Sequence, residues 1–232
     1  MSDRGACQLI SGDLSCWGKH SEGTPHLDGP YGIEVGSSHA CALTQAGVKC
    51  WGKYYGGSTV GWVGADQVTP LLENLKKIAG NSETSCAIVD QRVRCWGFVS
   101  GPTGMEKVDE LHRLNNGPQL ANPRNLIVGS GFVCALDDVG VHCWGDNSYG
   151  QTNVPPLQHP TKIVAGVVHA CAVTDDGVNC WGYNGSGQAP ESIDIHPVAI
   201  AANAVATYVV SDNGEILTTG SDVVGDVPIW RE

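Results

Sequence analysis

Apolar and small residues alternate along this chain in short bursts, each interrupted by a turn signal and then resumed. Five stretches read almost alike: GACQLISGDLSCWG (5–18), HACALTQAGVKCWG (39–52), TSCAIVDQRVRCWG (84–97), FVCALDDVGVHCWG (132–145) and HACAVTDDGVNCWG (169–182). A sixth, ATYVVSDNGEILTTG (206–220), keeps the alternation and the final Gly but has neither cysteine. A period of two on both sides of a turn predicts a β-hairpin; a helix would repeat its apolar positions every three or four residues. Before most hairpins lies a further apolar stretch ending in Gly: GIEVG (32–36), LKKIAG (75–80), NLIVG (125–129) and KIVAG (162–166). These read as preceding strands, so each repeat is expected to be a blade. The repeated tryptophans are 34, 45, 48 and 37 residues apart, a period found in propellers and solenoids. The first hairpin lacks a preceding strand, and DVPIW (226–230) is expected to supply it by closing the circle, which hides the sheet edges. A solenoid needs no such closure. The expectation is a single all-β domain over 1–232, a β-propeller of about six three- to four-stranded blades with circular closure by the C-terminal strand.

The cysteines sharpen the register. Cys7 and Cys16, Cys41 and Cys50, Cys86 and Cys95, Cys134 and Cys143, and Cys171 and Cys180 are all nine residues apart. Ten cysteines can pair in about 945 ways, but a bridge within each hairpin makes every pair cross-strand neighbours. Ala6 then faces Trp17, Ala40 Trp51, Ser85 Trp96, Val133 Trp144 and Ala170 Trp181. A small residue opposite a large one suits interdigitated layers. Gly47, Gly140 and Gly177 fall where the turn needs a left-handed backbone, and Ser11-Gly12 fits a two-residue turn. Each bridge is expected to add about 2–3 kcal/mol by chain entropy. Bridges at this density imply an oxidising compartment.

At CALT and GVxCWG the sequence resembles the regulator-of-chromosome-condensation repeat family. The likeness continues through WGDNSYGQTNVP (144–155) and WGYNGSGQAPES (181–192), which are similar to that family's Asn-rich, Gly-Gln segment. The resemblance covers nearly the whole chain and implies a β-propeller. The family usually has seven blades, so six is a departure: either a blade is missing or the ring is smaller. The doubled cysteine resembles extracytoplasmic members, among them plant receptor-kinase ectodomains, bacterial surface or periplasmic proteins and an inhibitory protein. Family members serve several functions, and none of their functional residues maps onto positions here.

Charge and composition narrow the partners. The net charge of −11, with only 13 scattered basic residues, argues against nucleic acid, which is bound through clustered Lys and Arg. The longest apolar runs fall short of a membrane span, so no membrane insertion is expected. MSDRGACQLI has neither a basic start nor a long apolar core, so export is expected with the leader lying outside this chain. No short-spaced cysteine cluster, nucleophile elbow or phosphate loop occurs. His39 and His169 share one repeat position and read as structural; the turn aspartates read as turn chemistry. No catalytic residue, metal or cofactor is expected. The segments after each Trp-Gly vary most and emerge on one rim. Of the two long ones, 53–70 carries Tyr54, Tyr55 and Trp62; in the other, Thr103 and Glu106 are spaced as a capping box for a short helix ending before Asn115. Its stripe of Met105, Val108 and Leu111 either covers an end of the propeller or serves the binding face. Exposed aromatics suit binding, which nominates Tyr54, Tyr55, Trp62, Phe98, Tyr149 and Tyr183, with Asn147, Asn184, Gln151 and Gln188 as polar partners. The expected function is non-enzymatic protein recognition through rim loops of a secreted, periplasmic or cell-surface propeller. The alternative is a carbohydrate-binding lectin.

Overall fold

Each repeated segment folds as the hairpin its alternation predicts. The computed structural model describes residues 6–18, 24–37, 39–55, 62–64, 70, 72, 74–81, 83–97 and 107–221. Blade 1 contains β1 (Ala6–Ile10) and β2 (Asp13–Trp17); blade 2 contains β3 (Gly32–Val35), β4 (His39–Thr44), β5 (Gly47–Tyr55) and β6 (Trp62–Gly64). Blade 3 is β7 (Leu75–Gly80), β8 (Thr84–Val89) and β9 (Arg92–Gly97), followed by helix α1 (Lys107–Asn115). Blade 4 is β10 (Asn125–Val128), β11 (Phe132–Leu136) and β12 (Val141–Gly145). Blade 5 is β13 (Lys162–Ala165), β14 (His169–Thr174) and β15 (Gly177–Gly182); blade 6 is β16 (Pro197–Ala202), β17 (Ala206–Ser211) and β18 (Ile216–Gly220). All pairings are antiparallel. The inner strands of blades 2 to 6 touch in sequence, and β1 touches β3. The architecture is a β-propeller. Among the described residues no helix is long and apolar enough to cross a membrane.

The predicted register is observed in every hairpin. All five disulfides form within their own blades, and each stands on a rung where the Cα atoms lie 4.0–4.1 Å apart. Such closeness belongs to a non-hydrogen-bonded rung. The small-residue positions face the tryptophans as expected, Val133 opposite Trp144 included. In blade 6, Tyr208 faces Thr218 at the place of the bridge. Ser11-Gly12 forms a two-residue turn between the paired Ile10 and Asp13. Gly177 has φ +108, and a Cβ there would meet the Ile193 carbonyl oxygen at 2.3 Å. Only glycine fits.

Neighbouring blades are sealed by one repeated contact. Trp51 packs on Cys7, Leu14 and Cys16; Trp96 packs on Cys41, Leu43 and Cys50. Trp144 joins the cluster of Cys86, Val93 and Cys95, and Trp181 that of Cys134, Leu136 and Cys143. The indole of one blade thus covers the disulfide of the blade before it. These flat, apolar surfaces bury well together.

Two expectations need correction or a boundary. Residues 53–70 were expected to leave the hairpin as a loop. Instead β5 runs on to Tyr55, and Lys53, Tyr54 and Tyr55 pair with Gly64, Val63 and Trp62 as a fourth strand. The alternation of the hairpin continues past Trp-Gly because the free edge of β5 has backbone groups to satisfy. The closing strand expected at 226–230 lies outside the described residues, and so do Met105 and the capping pair Thr103 and Glu106.

Candidate functional site

The rim loops after β12 and β15 start from the same sequence logic. In 146–151, the Gln151 side chain is wholly buried. Its Nε2 donates to Asp146 Oδ2 at 2.8 Å, and its Oε1 accepts from the Tyr149 amide at 2.8 Å. The indole of Trp181 on the next blade donates to the Gln151 carbonyl at 3.0 Å. In 183–188, Gln188 is equally buried; its Oε1 accepts from the Ser186 amide at 2.9 Å, and its carbonyl accepts from Thr207 Oγ1 at 2.8 Å. Asn147 Oδ1 accepts from the Thr152 amide and Asn184 Oδ1 from the Ala189 amide. Both asparagines therefore brace their own loops, although they are exposed. Burial and internal bonds consume both side-chain polar atoms of Gln151, and Gln188 is buried with its Oε1 and backbone carbonyl occupied.

On this frame stand Tyr149 and Tyr183. Their ring centroids are 5.2 Å apart at 73°, an edge-to-face pair. Tyr149 is 55% exposed and Tyr183 38%, so the pair is fixed yet accessible. The Tyr183 amide donates to the Val168 carbonyl at 2.9 Å, which places the ring beside the turn bearing Val167, itself 44% exposed. Sequence nominated both tyrosines but did not pair them. They occupy different positions of their loops: Tyr149 corresponds to Ser186, and Tyr183 to Asp146.

The other nominated aromatics lie apart from this pair. The backbones of Tyr54, Tyr55 and Trp62 belong to the β5–β6 ladder of blade 2, with Tyr55 directly opposite Trp62. Phe98 lies outside the described residues. Helix α1 covers the molecule rather than opening a groove: Leu114 is buried against Leu120 and Leu126, with Leu111 and Trp144 packed beside them.

A polar cluster that sequence reasoning did not assemble lies between blades 2 and 3. Ser85 Oγ donates to Glu34 Oε2 at 2.9 Å and lies 3.0 Å from His39 Nε2; all three residues are buried. Glu34 Oε1 is 3.5 Å from the same His39 nitrogen. A Ser-His-acid relay needs the carboxylate on the far ring nitrogen and the hydroxyl open to substrate. Here both partners crowd Nε2, and Ser85 is sealed from solvent, so the cluster ties two blades. Glu34, His39 and Cys41 also sit at metal-ligand distances, but the Cys41 sulfur is already bonded to Cys50. That sulfur is no thiolate ligand. Between blades 5 and 6 the motif recurs, with His169 Nε2 3.0 Å from Thr207 Oγ1. Burial pushes the His169 imidazole down from its ordinary value to about 4. The signal was readable: His39 and His169 are each followed, one blade later, by a hydroxyl at the Ala position of the repeat, Ser85 and Thr207.

Residues 161–188, which span blade 5 and its rim loop, match the Regulator of chromosome condensation (RCC1) repeat. The chain carries this repeat. No curated protein sequence matches the chain. Three solved RCC1-like or WD40 propellers resemble it. The receptor kinase CR4 ectodomain of Physcomitrella patens is 22% identical with a TM-score of 0.68, over 94% of this chain and 60% of that one. The CRINKLY WD40 ectodomain of the Arabidopsis thaliana receptor kinase ACR4 is 24% identical with a TM-score of 0.67, over 98% and 80%. Prp20p of Saccharomyces cerevisiae, whose binding to Gsp1p and histones has been described, is 19% identical with a TM-score of 0.60, over 84% and 58%. The chain thus spans 60% of the moss ectodomain's length. At these identities the likeness carries the fold. Five disulfides on five blades are what an oxidising compartment permits.

Proposed function

We propose that this propeller is a protein-binding module of an exported chain, and that it holds its partner on the rim face bearing Tyr149 and Tyr183. The observation that carries the reading is the exposed edge-to-face tyrosine pair on two loops locked by buried glutamines. Anchors of this kind offer large amphipathic contact area, and loops already rigid lose little entropy on binding. The polar residues around the pair brace the loops, so the contact is aromatic at its centre.

A lectin built on repeated pockets would need equivalent residues in successive repeats. The Tyr149 position holds Ser186 in the next loop, and the Tyr183 position holds Asp146 in the preceding one. That asymmetry favours one composite protein-binding patch. The test is capture of partners from extracellular or periplasmic extract on the immobilised chain. A Tyr149→Ala/Tyr183→Ala double variant is expected to lose the partner or bind it at least about tenfold more weakly. Equal capture by both chains would remove the assignment of this face.

A further inference from the structure

A second surface lies at the opposite end of the strands, where the hairpin turns gather. Most of these turns are acidic, with Asp13, Asp138, Asp175, Asp176, Asp212 and Glu215 exposed on four blades. Blade 3 departs from the pattern. Three residues before the second cysteine, three repeats carry Gly47, Gly140 and Gly177, whereas blade 3 carries Arg92. Without that glycine its turn is built differently, and Asp90 takes the left-handed conformation at φ +55. Arg94 follows two residues later on the same face of β9, roughly 7 Å along the strand. Both arginines are exposed and, with Lys76, line a cleft of about 450 Å³ completed by Val89, Asp90, Gln91 and Gln119. Among the described residues, the side chains of Lys76, Arg92 and Arg94 form no hydrogen bond or ion pair. Gln119 Nε2 donates to Gln91 Oε1 at 2.8 Å, which orients the amides and leaves the Gln91 amide nitrogen able to donate into the cleft.

In a chain of net charge −11, acids to neutralise these cations are plentiful, yet three cations converge with Asp90 as the one acid among the described lining residues. Like charges held together unpaired repel, and a multivalent anion removes that repulsion while arginine supplies forked donors suited to oxyanions. The volume exceeds that of a bare inorganic ion and falls in the range of small-molecule sites. We propose that the blade 3 cleft binds a small ligand carrying two or more negative charges on phosphate or carboxylate groups. The acidic turns of blades 1, 4, 5 and 6 disfavour such a ligand elsewhere on this face. This site is separate from the tyrosine face, so either reading stands or falls without the other.

Titration at fixed sodium chloride, followed by amide chemical shifts, tests the proposal with two probes, citrate and inorganic phosphate. Saturable shifts confined to Lys76, Val89 to Arg94 and Gln119 are expected with at least one probe, and which one saturates names the oxyanion group. Arg92→Gln/Arg94→Gln is expected to weaken that binding at least tenfold at an unchanged melting temperature. Lys162→Gln, removing an exposed cation on blade 5, is expected to leave it unaltered. The proposal is overturned if neither probe saturates, if shifts spread over lysines and arginines throughout the chain, or if the double variant binds as the parent does.

Discussion

Thr207 donates its hydroxyl proton to the Gln188 carbonyl 2.8 Å away. The 3.0 Å contact to His169 must therefore be filled by a proton on His169 Nε2, which leaves Nδ1 bare. That nitrogen is fully buried without a hydrogen-bond partner and lies over Gly166, where even a Cβ would collide with it at 2.5 Å. Burial disfavours the charged ring and holds the folded-state value near 4 against 6.5 in the unfolded chain, and a proton placed on Nδ1 would find no acceptor. Between those values the unfolded state binds more protons. The neutral ring's contribution is thus complete above about pH 6.5 and is lost as the pH falls toward 4, to a total of about 3 kcal/mol. Denaturant midpoints measured from pH 7.5 to 4 should fall accordingly. In His169→Phe, which copies Phe132 at the equivalent position of blade 4, that limb should flatten. An unchanged acid limb in the variant would assign the loss to other groups. Asp137 acts in a different window. Burial alone would raise its carboxyl, but the amides of Ala121, Val139 and Gly140 together with His142 outweigh it and hold it below its usual 3.8. Its contribution is present above about 3.8 and disappears only as the pH falls further, so the two limbs separate.

Helix α1 occupies the side of blade 3 where a fourth strand runs in blade 2. Asn115 imitates that strand with one side chain: its Oδ1 accepts from the Cys95 amide at 2.8 Å, and its Nδ2 donates to the Cys95 carbonyl at 3.1 Å. Both groups point away from β8 because Cys86 and Cys95 form a non-hydrogen-bonded rung. Five residues on, the Leu120 amide donates to the Gln91 carbonyl at 2.8 Å and fastens the other end of the edge. Asn115→Ala leaves two strand-edge groups unsatisfied and should cost about 1–3 kcal/mol. Amide exchange at Cys95 should accelerate more than exchange at Cys86, and equal protection in both chains would show the clamp to be dispensable. Features of this kind mark the limit of what could be read from sequence. The hairpins, their register and their disulfides follow from one spacing of nine repeated five times, a signal that reports on adjacent strands. The clamp is a single asparagine standing in for a strand, and no period announces it. Strand β6 is three residues long among glycines, too short for alternation to show. The tyrosine pair joins unlike positions of successive loops, whereas repeat comparison aligns like with like. The repeated Asn-x-x-Gly-Gln reads in sequence as a source of polar partners for a binding face, yet Asn147, Asn184, Gln151 and Gln188 bond within their own loops.

A wheel of blades has as many seams as blades, and the five repeat tryptophans report on all but the one between blades 5 and 6. Trp51, Trp96 and Trp181 are 3–7% exposed because each covers the preceding disulfide, whereas Trp17 is 50% exposed. Blade 6 has Tyr208 and Thr218 where a disulfide would stand, and Ile216 and Val198 of the same blade are exposed. Among the described residues, blade 1 also shows two strands where the others show three or four. In blades 2 and 4 the inner strand bonds to β4 at His39 and Leu43 and to β11 at Phe132 and Leu136, residues of the same parity as the first cysteine. By that equivalence, the free groups of β1 that face inward belong to Cys7 and Leu9. We propose that the closing strand expected from the sequence at 226–230 takes this place on the first blade. A two-strand edge left open exchanges its outward amides almost freely, whereas a laddered one exchanges only when the blade opens. Amides of Cys7 and Leu9 should therefore be protected in the full chain and exchange at least tenfold faster after removal of 226–232. The amides of Gln8 and Ile10, which bond to β2, should respond much less. If Cys7 and Leu9 exchange at one rate in both chains, the inner place on blade 1 is not taken by this segment, and the seam is sealed by something other than the C-terminal strand.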